Sequence, residues 1–372
     1  MNSVVRVGLI GCGMVAERRH LPALQALRDV EVVAAADPDE VRLVAVADRF
    51  GIERRYADHQ ALLADSDVGA VAVLTPTQSH VRIATDALDA GKHVLIEKPL
   101  GLSIDECDQL IAKASESPSK VMVGLNMRWY SLVNEAREIV RQGGLGQLAA
   151  VRSVFSQWRL QEAEPEWKKR RELGGGVVIN EGVHHFDLWS YLTGRKVEQV
   201  CAVGQGTAEH EDVTVVVAAK MTGGLPVCGV ISLKSGGQNE VELYGTRARL
   251  RLSLYRFDGL EFSPTTAYPG DVSSRLRTMI SAIGRVPHAL RARRLGGSFV
   301  ATFQAQWRHF LECIQEDRQP ACTLEDGRRV LRVAIAASHA ISSGQVVDIS
   351  KGPRWIAPPS LDEARRTLTE AA

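Results

Sequence analysis

Short apolar runs separated by stretches of helical length fill the first third of the chain. Val4–Ile10, Glu31–Ala36, Ala70–Leu74, His93–Ile96 and Lys120–Gly124 are rich in Val, Ile, Leu and Ala, with little polar alternation. Runs of this kind suit a parallel sheet covered on both faces. Between them, Val15–Leu27, Glu40–Phe50, His80–Ala90 and Ile104–Glu116 have helical length and periodicity. The alternation of strand and helix predicts a doubly wound α/β domain over residues 1–125.

The pattern changes after about Gln147. Ala149–Trp158, Val197–Gly204, Val213–Met221, Val227–Ser235 and Asn239–Leu254 read as longer strands, several of them following one another without a helix. That order predicts a large, mainly antiparallel sheet in an α+β domain over 126–372. A sheet of this type can leave one face open, and an apolar open face is a natural contact for a homo-oligomer. Two helices, about Thr302–Gln315 and Glu325–Ser342, close the pattern.

Composition narrows the class. A formal net charge of +1 gives no electrostatic case for nucleic acid as partner. The six cysteines are scattered without C-x-x-C spacing, so neither a metal knuckle nor a disulfide framework is expected. The first residues show no signal-peptide pattern, and no apolar run approaches the roughly 18 residues of a membrane span. The expectation is a cytoplasmic protein with no membrane span.

Gly11-Cys12-Gly13-Met14-Val15-Ala16 follows the first strand and opens a helix, as the G-x-G-x-x-A fingerprint of a Rossmann dinucleotide site requires. Gly11 permits the turn, Gly13 admits a pyrophosphate, and the helix start at Met14 and Val15 faces the phosphates. Asp37, 21 residues after Ala16, ends the second strand, where a carboxylate binds a ribose 2′-hydroxyl and repels a 2′-phosphate. This favours NAD, with NADP left open by Arg42 one turn on. Thr75 and Pro76 follow the run Ala70–Leu74 at the carboxyl edge where ligands of such sheets bind, and His80 opens the next helix.

Glu97-Lys98-Pro99 follows the apolar strand His93–Ile96. A lysine at that edge is placed to bind a substrate hydroxyl, and partial burial would lower its pKa towards proton transfer. Pro99 holds Lys98 extended and permits a cis bond. A second constellation runs from Gly174 to Asp187, with a helix expected near Ile179. At α-helical spacing, Asn180, His184 and Asp187 share one face. His184 is the candidate general acid/base. His185 points elsewhere and reads as packing or surface. The spacing lacks the H-x-x-x-H pair or carboxylate cluster that would hold a metal, so no metal is expected.

These segments resemble the Gfo/Idh/MocA oxidoreductases, a family that includes inositol dehydrogenases, glucose-fructose oxidoreductase and nucleotide-sugar dehydrogenases. The resemblance rests on GCGMVA, AGKHVLIEKPLG, GLNMRW at Gly124–Trp129 and GGGVVINEGVHHFD, and runs from Val4 to about Ile349. It implies a Rossmann domain followed by an open α/β sheet domain. It also implies a nicotinamide cofactor near Lys98, and His184 as the catalytic histidine with Lys98 and Asn180 beside it. Glu97, Asn126 and Arg128 occupy motif positions near the cofactor or substrate, and Trp158 is a candidate to shape the substrate pocket. Hydride would pass between nicotinamide and a hydroxyl-bearing carbon of a sugar, polyol or nucleotide-sugar. The alternatives are a redox-neutral sugar-modifying enzyme that keeps NAD bound and a non-enzymatic ligand sensor. A dimer or tetramer through the open sheet face is implied as well. Many members carry an aspartate where this chain has Asn180.

One stretch departs from the compact pattern. About residues 265–297 read as a basic insertion: between Asp271 and Glu312 there is no acidic residue, while Arg275, Arg277, Arg285, Arg291, Arg293, Arg294 and Arg308 occur. It reads as a solvated loop, or as a contact for nucleotide-sugar phosphates, an anionic membrane surface or a neighbouring subunit. Leu276, Met279, Ile280 and Ile283 among the arginines make it interface-like, and Pro287 is expected to interrupt any helix.

Overall fold

A computed structural model describes residues 4–159, 164–267, 298–350 and, between them, 271, 272, 276, 279, 280, 282–287 and 290. The chain divides into two compact units. One holds Met1–Asn126 with Leu295–Leu331, the other Met127–Arg294 with Arg332–Ala372. The helix Leu324–Ser343 contains the boundary.

The first unit is built on strands β1 (Val5–Ile10), β2 (Val30–Ala36), β3 (Arg54–Tyr56), β4 (Ala70–Val73), β5 (His93–Ile96) and β6 (Val121–Val123). They lie in the order β3-β2-β1-β4-β5-β6, every pair parallel. This is the doubly wound Rossmann arrangement, with its switch point beside β1, where ligands of such sheets bind. β4 is wholly buried and β5 nearly so, as continuous apolar runs dictate. β3 and the helix His59–Leu63 add to the expected elements. The helix Ile104–Ser115 starts on a reciprocal capping box between Ser103 and Glu106.

The second unit holds β7 (Leu148–Trp158), β8 (Val197–Gln205), β9 (Thr214–Met221), β10 (Leu225–Ser232), β11 (Lys234–Gly245), β12 (Ala248–Ser253), β13 (Leu260–Pro264) and β14 (Val347–Asp348). They form one sheet in the order β13-β12-β11-β7-β10-β9-β8-β14. Only the central β7–β10 pair is parallel. The stretch Asn239–Leu254 is a hairpin rather than the single strand expected, with Tyr244 opposite Arg249. One face of the sheet is covered by the helix Val183–Thr193, whose Trp189 donates its indole N–H to Ser153 Oγ at 2.9 Å. On the other face Val203, Val216 and Val230 stay exposed.

The described residues from Val272 to Leu290 are helical, Pro287 among them, so the expected interruption does not fall there. Arg275, Arg277, Arg291, Arg293 and Arg294 lie outside the described residues. Among the described residues, no helix is long and apolar enough to cross a membrane.

Candidate functional site

Each unit carries its own cluster of sequence-predicted residues. In the first, the chain leaves β1 at Gly11 with φ +99°, a region closed to ordinary side chains, and a Cβ there would stand 2.8 Å from the carbonyl oxygen of Leu74. The next amide, Cys12 N–H, donates to Oδ2 of Asp37 at 2.8 Å, while Oδ1 accepts from Asp39 N–H at 2.9 Å. The carboxylate is buried, and Arg42 Nη1 lies 3.6 Å from it. Burial and the Asp37 charge push the Cys12 thiol up to about 12, so it stays protonated at neutral pH. Space is open where a side chain at Gly13 would stand, and the helix begins at Met14 and Val15. An open approach to helix-start amides beside a buried carboxylate fits a dinucleotide diphosphate and ribose.

The helix after the turn opens with a π turn, Ala16–His20, which brings the ring of His20 fully inside. His20 Nε2 lies 3.1 Å from Oε1 of Glu97, and Trp307 donates its indole N–H to His20 Nδ1 at 3.0 Å. Glu97 Oε2 accepts the backbone N–H of Lys98 at 3.1 Å. Burial raises the Glu97 carboxyl, but the hydrogen bond and charge of His20, then Lys98, hold it below the usual range. Lys98 itself is half-buried, and its bond to Pro99 is cis.

His80 is buried between two main-chain carbonyls, Nδ1 2.8 Å from Pro99 O and Nε2 2.8 Å from Thr75 O. It thereby ties the loop after β4 to the loop after β5. Burial lowers its pKa while the two carbonyls and Glu97 act against that shift. Thr75 accepts a hydrogen bond from Ser79 Oγ at 2.8 Å, Pro76 precedes a short 3-10 turn, and buried Asn126 donates to Thr302 Oγ1 at 3.3 Å.

In the second unit, the glycine run is a close-packed approach. A side chain at Gly175 would overlap the carbonyls of Trp167 and Lys168. Asp212 accepts the N–H of Val177 and lies 3.5 Å from Arg171, with its carboxyl pushed up to about 6 by burial against the pull of Arg171. The chain then makes a second π turn, Val178–Gly182, before the α-helix Val183–Thr193. Helical backbone is already present at Gly176 and Val177, so the helix expected near Ile179 is there, with the π turn set into it.

Asn180 is half-buried and donates to Glu181 Oε1 at 3.5 Å. Glu181 also faces Arg159 at 3.7 Å. His184 is buried at the first turn of the helix. Asp187 anchors that helix through a two-pronged pair with Arg128, Nε to Oδ2 at 2.7 Å and Nη2 to Oδ1 at 2.5 Å. Arg128 is thus held within this pair. His185 is fully buried against Asn239 Oδ1 at 3.1 Å, a packing position. Trp158, at the end of β7, is mostly exposed.

Sequence reading missed His20, Trp307, Asp212 and Asn239. His20 had a signal: it falls with Ala16, Ala23 and Leu24 on the buried side of its helix, a polar residue where apolar ones are expected.

A sheet with this strand order, a glycine turn after β1 and a carboxylate at the end of β2 defines a dinucleotide-binding domain. Residues 5–125 match the model of the oxidoreductase family with an NAD-binding Rossmann fold, and residues 133–251 match the GFO/IDH/MocA C-terminal domain. An oxidoreductase of Rhizobium meliloti is 30% identical over 67% of this chain and 74% of its own length. The myo-inositol 2-dehydrogenase of Thermotoga maritima is 25% identical over 93% of this chain and 99% of its own length. The WlbA dehydrogenase of Bordetella pertussis, solved with NADH and UDP-GlcNAcA, superposes with a TM-score of 0.80 at 20% identity, covering 93% of this chain and 99% of that one. The chain belongs to the Gfo/Idh/MocA family of NAD-binding oxidoreductases.

Proposed function

We propose that this oxidoreductase transfers hydride between NAD and a hydroxyl-bearing carbon of a sugar, polyol or nucleotide-sugar. The observation that carries the reading is the Glu97–Lys98 pair at the end of β5: a buried carboxylate locked by His20, followed at once by a half-buried lysine. The names of relatives such as the myo-inositol 2-dehydrogenase support the substrate class.

Gly11, Gly13, Met14 and Val15 would hold the diphosphate, and Asp37 the adenosine ribose, with Thr75, Pro76 and Asn126 bordering the same ligand. When bound there, NAD would supply the hydride acceptor and NADH the donor. Lys98 Nζ binds the substrate hydroxyl oxygen and stabilises negative charge on it. A ring nitrogen of His184 takes the hydroxyl proton in oxidation and returns it in reduction. Asn180 supplies an amide near that exchange, without the charge an aspartate would add. Glu97 and His80 orient the loops that carry Lys98 and Thr75, and Arg128 orients the His184 helix through Asp187.

A screen of sugars, polyols and nucleotide-sugars with NAD and with NADP, followed at the nicotinamide absorbance, tests the reading. Turnover with NAD that disappears in both Lys98→Ala and His184→Ala is expected. Turnover that survives both substitutions would remove them from the chemistry. The exposed face of β8, β9 and β10 supports a homo-oligomer, a dimer or tetramer, which light scattering reads directly.

A further inference from the structure

In the second unit, helical backbone runs unbroken over 176–193, through the π turn Val178–Gly182 and past His184. The first amides of such a run have no partner within it. Here one buried carboxylate takes them. Asp212, just before β9, accepts the N–H of Val177 through Oδ1, and the N–H of Val178 also favours its charged form. A negative charge at a helix start is favourable in itself. Gly176 makes the approach possible: a Cβ there would overlap Asp212 Oδ1, and its φ of +75° suits glycine.

The charge on Asp212 is contested by its neighbours. Arg171, from the short turn Arg171–Leu173, stands between two acids, its Nε 3.4 Å from Glu211 Oε2 and 3.5 Å from Asp212 Oδ2. Glu211 Oε2 also accepts the Arg171 backbone N–H at 2.9 Å. The helix Leu324–Ser343 offers Arg171 only neutral groups, Ser338 O and Ser342 Oγ, each 3.4 Å from Nη1. His210 turns instead to Glu164, with Nε2 3.5 Å from Oε2.

Among the described residues, then, two buried carboxylates face one guanidinium. One positive charge does not neutralise both, and burial and Glu211 oppose ionisation of Asp212 while Arg171 favours it. The acid that pins the helix start is therefore the one readiest to take up a proton. What it pins matters for the chemistry. A π turn takes in an extra residue, so the side-chain directions along it depend on where the helix is held. Asn180 lies in that turn and His184 directly after it.

We propose that Asp212 is a positioning residue for the His184 helix, a role that rests on the reading of His184 as the proton carrier. Ionised, it clamps the helix start. Protonated, it releases the amides of Val177 and Val178, and the π turn with Asn180 and His184 leaves its working register.

Two variants of the full chain test it. Asp212→Asn keeps the shape and an acceptor oxygen but cannot ionise, and Glu211→Gln removes the neighbouring charge that opposes ionisation. Amide hydrogen exchange over 174–187, corrected for the intrinsic rate at each pH, reads the clamp without any substrate. Wild type should lose about tenfold of its protection between pH 7 and pH 5, around the Asp212 value of about 6. Asp212→Asn should be loose at both pH values, and Glu211→Gln should stay tight to lower pH. In turnover of the substrate that the screen identifies, the Asp212→Asn deficit in kcat should be about tenfold at pH 7 and close towards pH 5. KM for NAD should hold, since the glycine turn and Asp37 belong to the first unit. Equal exchange in wild type and Asp212→Asn, or a kcat deficit that is constant with pH, would overturn the proposal. An inactive His184→Ala beside an Asp212→Asn chain of wild-type kcat would overturn it alone. A fully active His184→Ala would sink the functional reading first, and the proposal with it.

Discussion

The indole N–H of Trp307 donates to Nδ1 of His20, which puts the proton of a neutral ring on Nε2, facing the Glu97 carboxylate. Trp307 therefore selects the tautomer that lets His20 hold Glu97. The carboxylate in turn accepts the Lys98 amide, so the order of the lysine loop passes through three buried side chains.

Replacing His20 with Leu should release the main restraint on the Glu97 acid constant. Burial already pushes that carboxyl up, and His20 heads the influences that hold it down. The acidic limb of the pH–rate profile, or of NADH affinity against pH, is expected to move to higher pH, with about 1–3 kcal/mol of lost stability from the stranded carboxylate. Trp307→Phe should show a weaker version of the same displacement. A profile that keeps its shape while stability falls would reduce His20 to a packing residue.

In the proposed function, Asp37 would discriminate between cofactors. Its oxygens already fix the Cys12 and Asp39 amides, so a 2′-phosphate would meet a buried anion held rigidly in place. Asp37→Ser keeps an acceptor for Cys12 while removing the charge. Fluorescence titration should show NADH binding weakened by roughly tenfold or more, with NADPH binding unchanged or improved. A wild-type chain that already prefers NADPH would assign the selectivity to Arg42 instead.

The parts of the fold that the sequence made legible are those where one physical pattern acts alone. β4 and β5 are covered on both faces, so their apolar runs are continuous and read directly. β3 is Arg-Arg-Tyr at the edge of its sheet, with no buried run to betray it. The β11–β12 hairpin hid because period-two alternation holds on both sides of its turn. Its mark was a change of phase, from Val241 and Leu243 to Ala248, Leu250 and Leu252. In the site, the glycine turn, Asp37 and the Glu-Lys-Pro segment were visible because each is contiguous or follows a known spacing. The His20–Trp307 bond joins positions 287 residues apart, and nothing local announces it. The π turn at Val178–Gly182 was invisible for a different reason: its residues also suit an α-helix, and packing decides between the two.

The Arg128–Asp187 pair shows how a motif residue is used up by structure. Both side chains are buried and joined by two hydrogen bonds, so removing one partner leaves an uncompensated charge inside the unit. Asp187→Asn or Arg128→Met alone should cost about 3–5 kcal/mol in urea unfolding, whereas Arg128→Met with Asp187→Leu should cost less than the sum. Additive losses would mean that the two side chains act separately. Because Asp187 sits one turn after His184, the single variants should also lower kcat more than they raise KM.

His185 gives the second unit a dependence on pH. Burial depresses its pKa from 6.5 to about 4, with the Asn239 hydrogen bond acting weakly the other way. The folded ring is neutral while the unfolded chain takes up a proton near 6.5, so the unfolded state binds more protons across that interval. Stability from this group is complete above about 6.5, declines as pH falls towards about 4, and falls no further once both states are protonated. The full decline corresponds to about 3 kcal/mol. His185→Gln keeps a donor for Asn239 but cannot ionise. Its stability deficit relative to wild type, measured by urea unfolding, should therefore be largest at pH 7 and shrink by about 3 kcal/mol near pH 4. Comparing the two chains at each pH cancels the carboxylates they share. A deficit that stays constant over that interval would mean that the ring is protonated in the folded protein too, and that its environment is wetter than its burial implies.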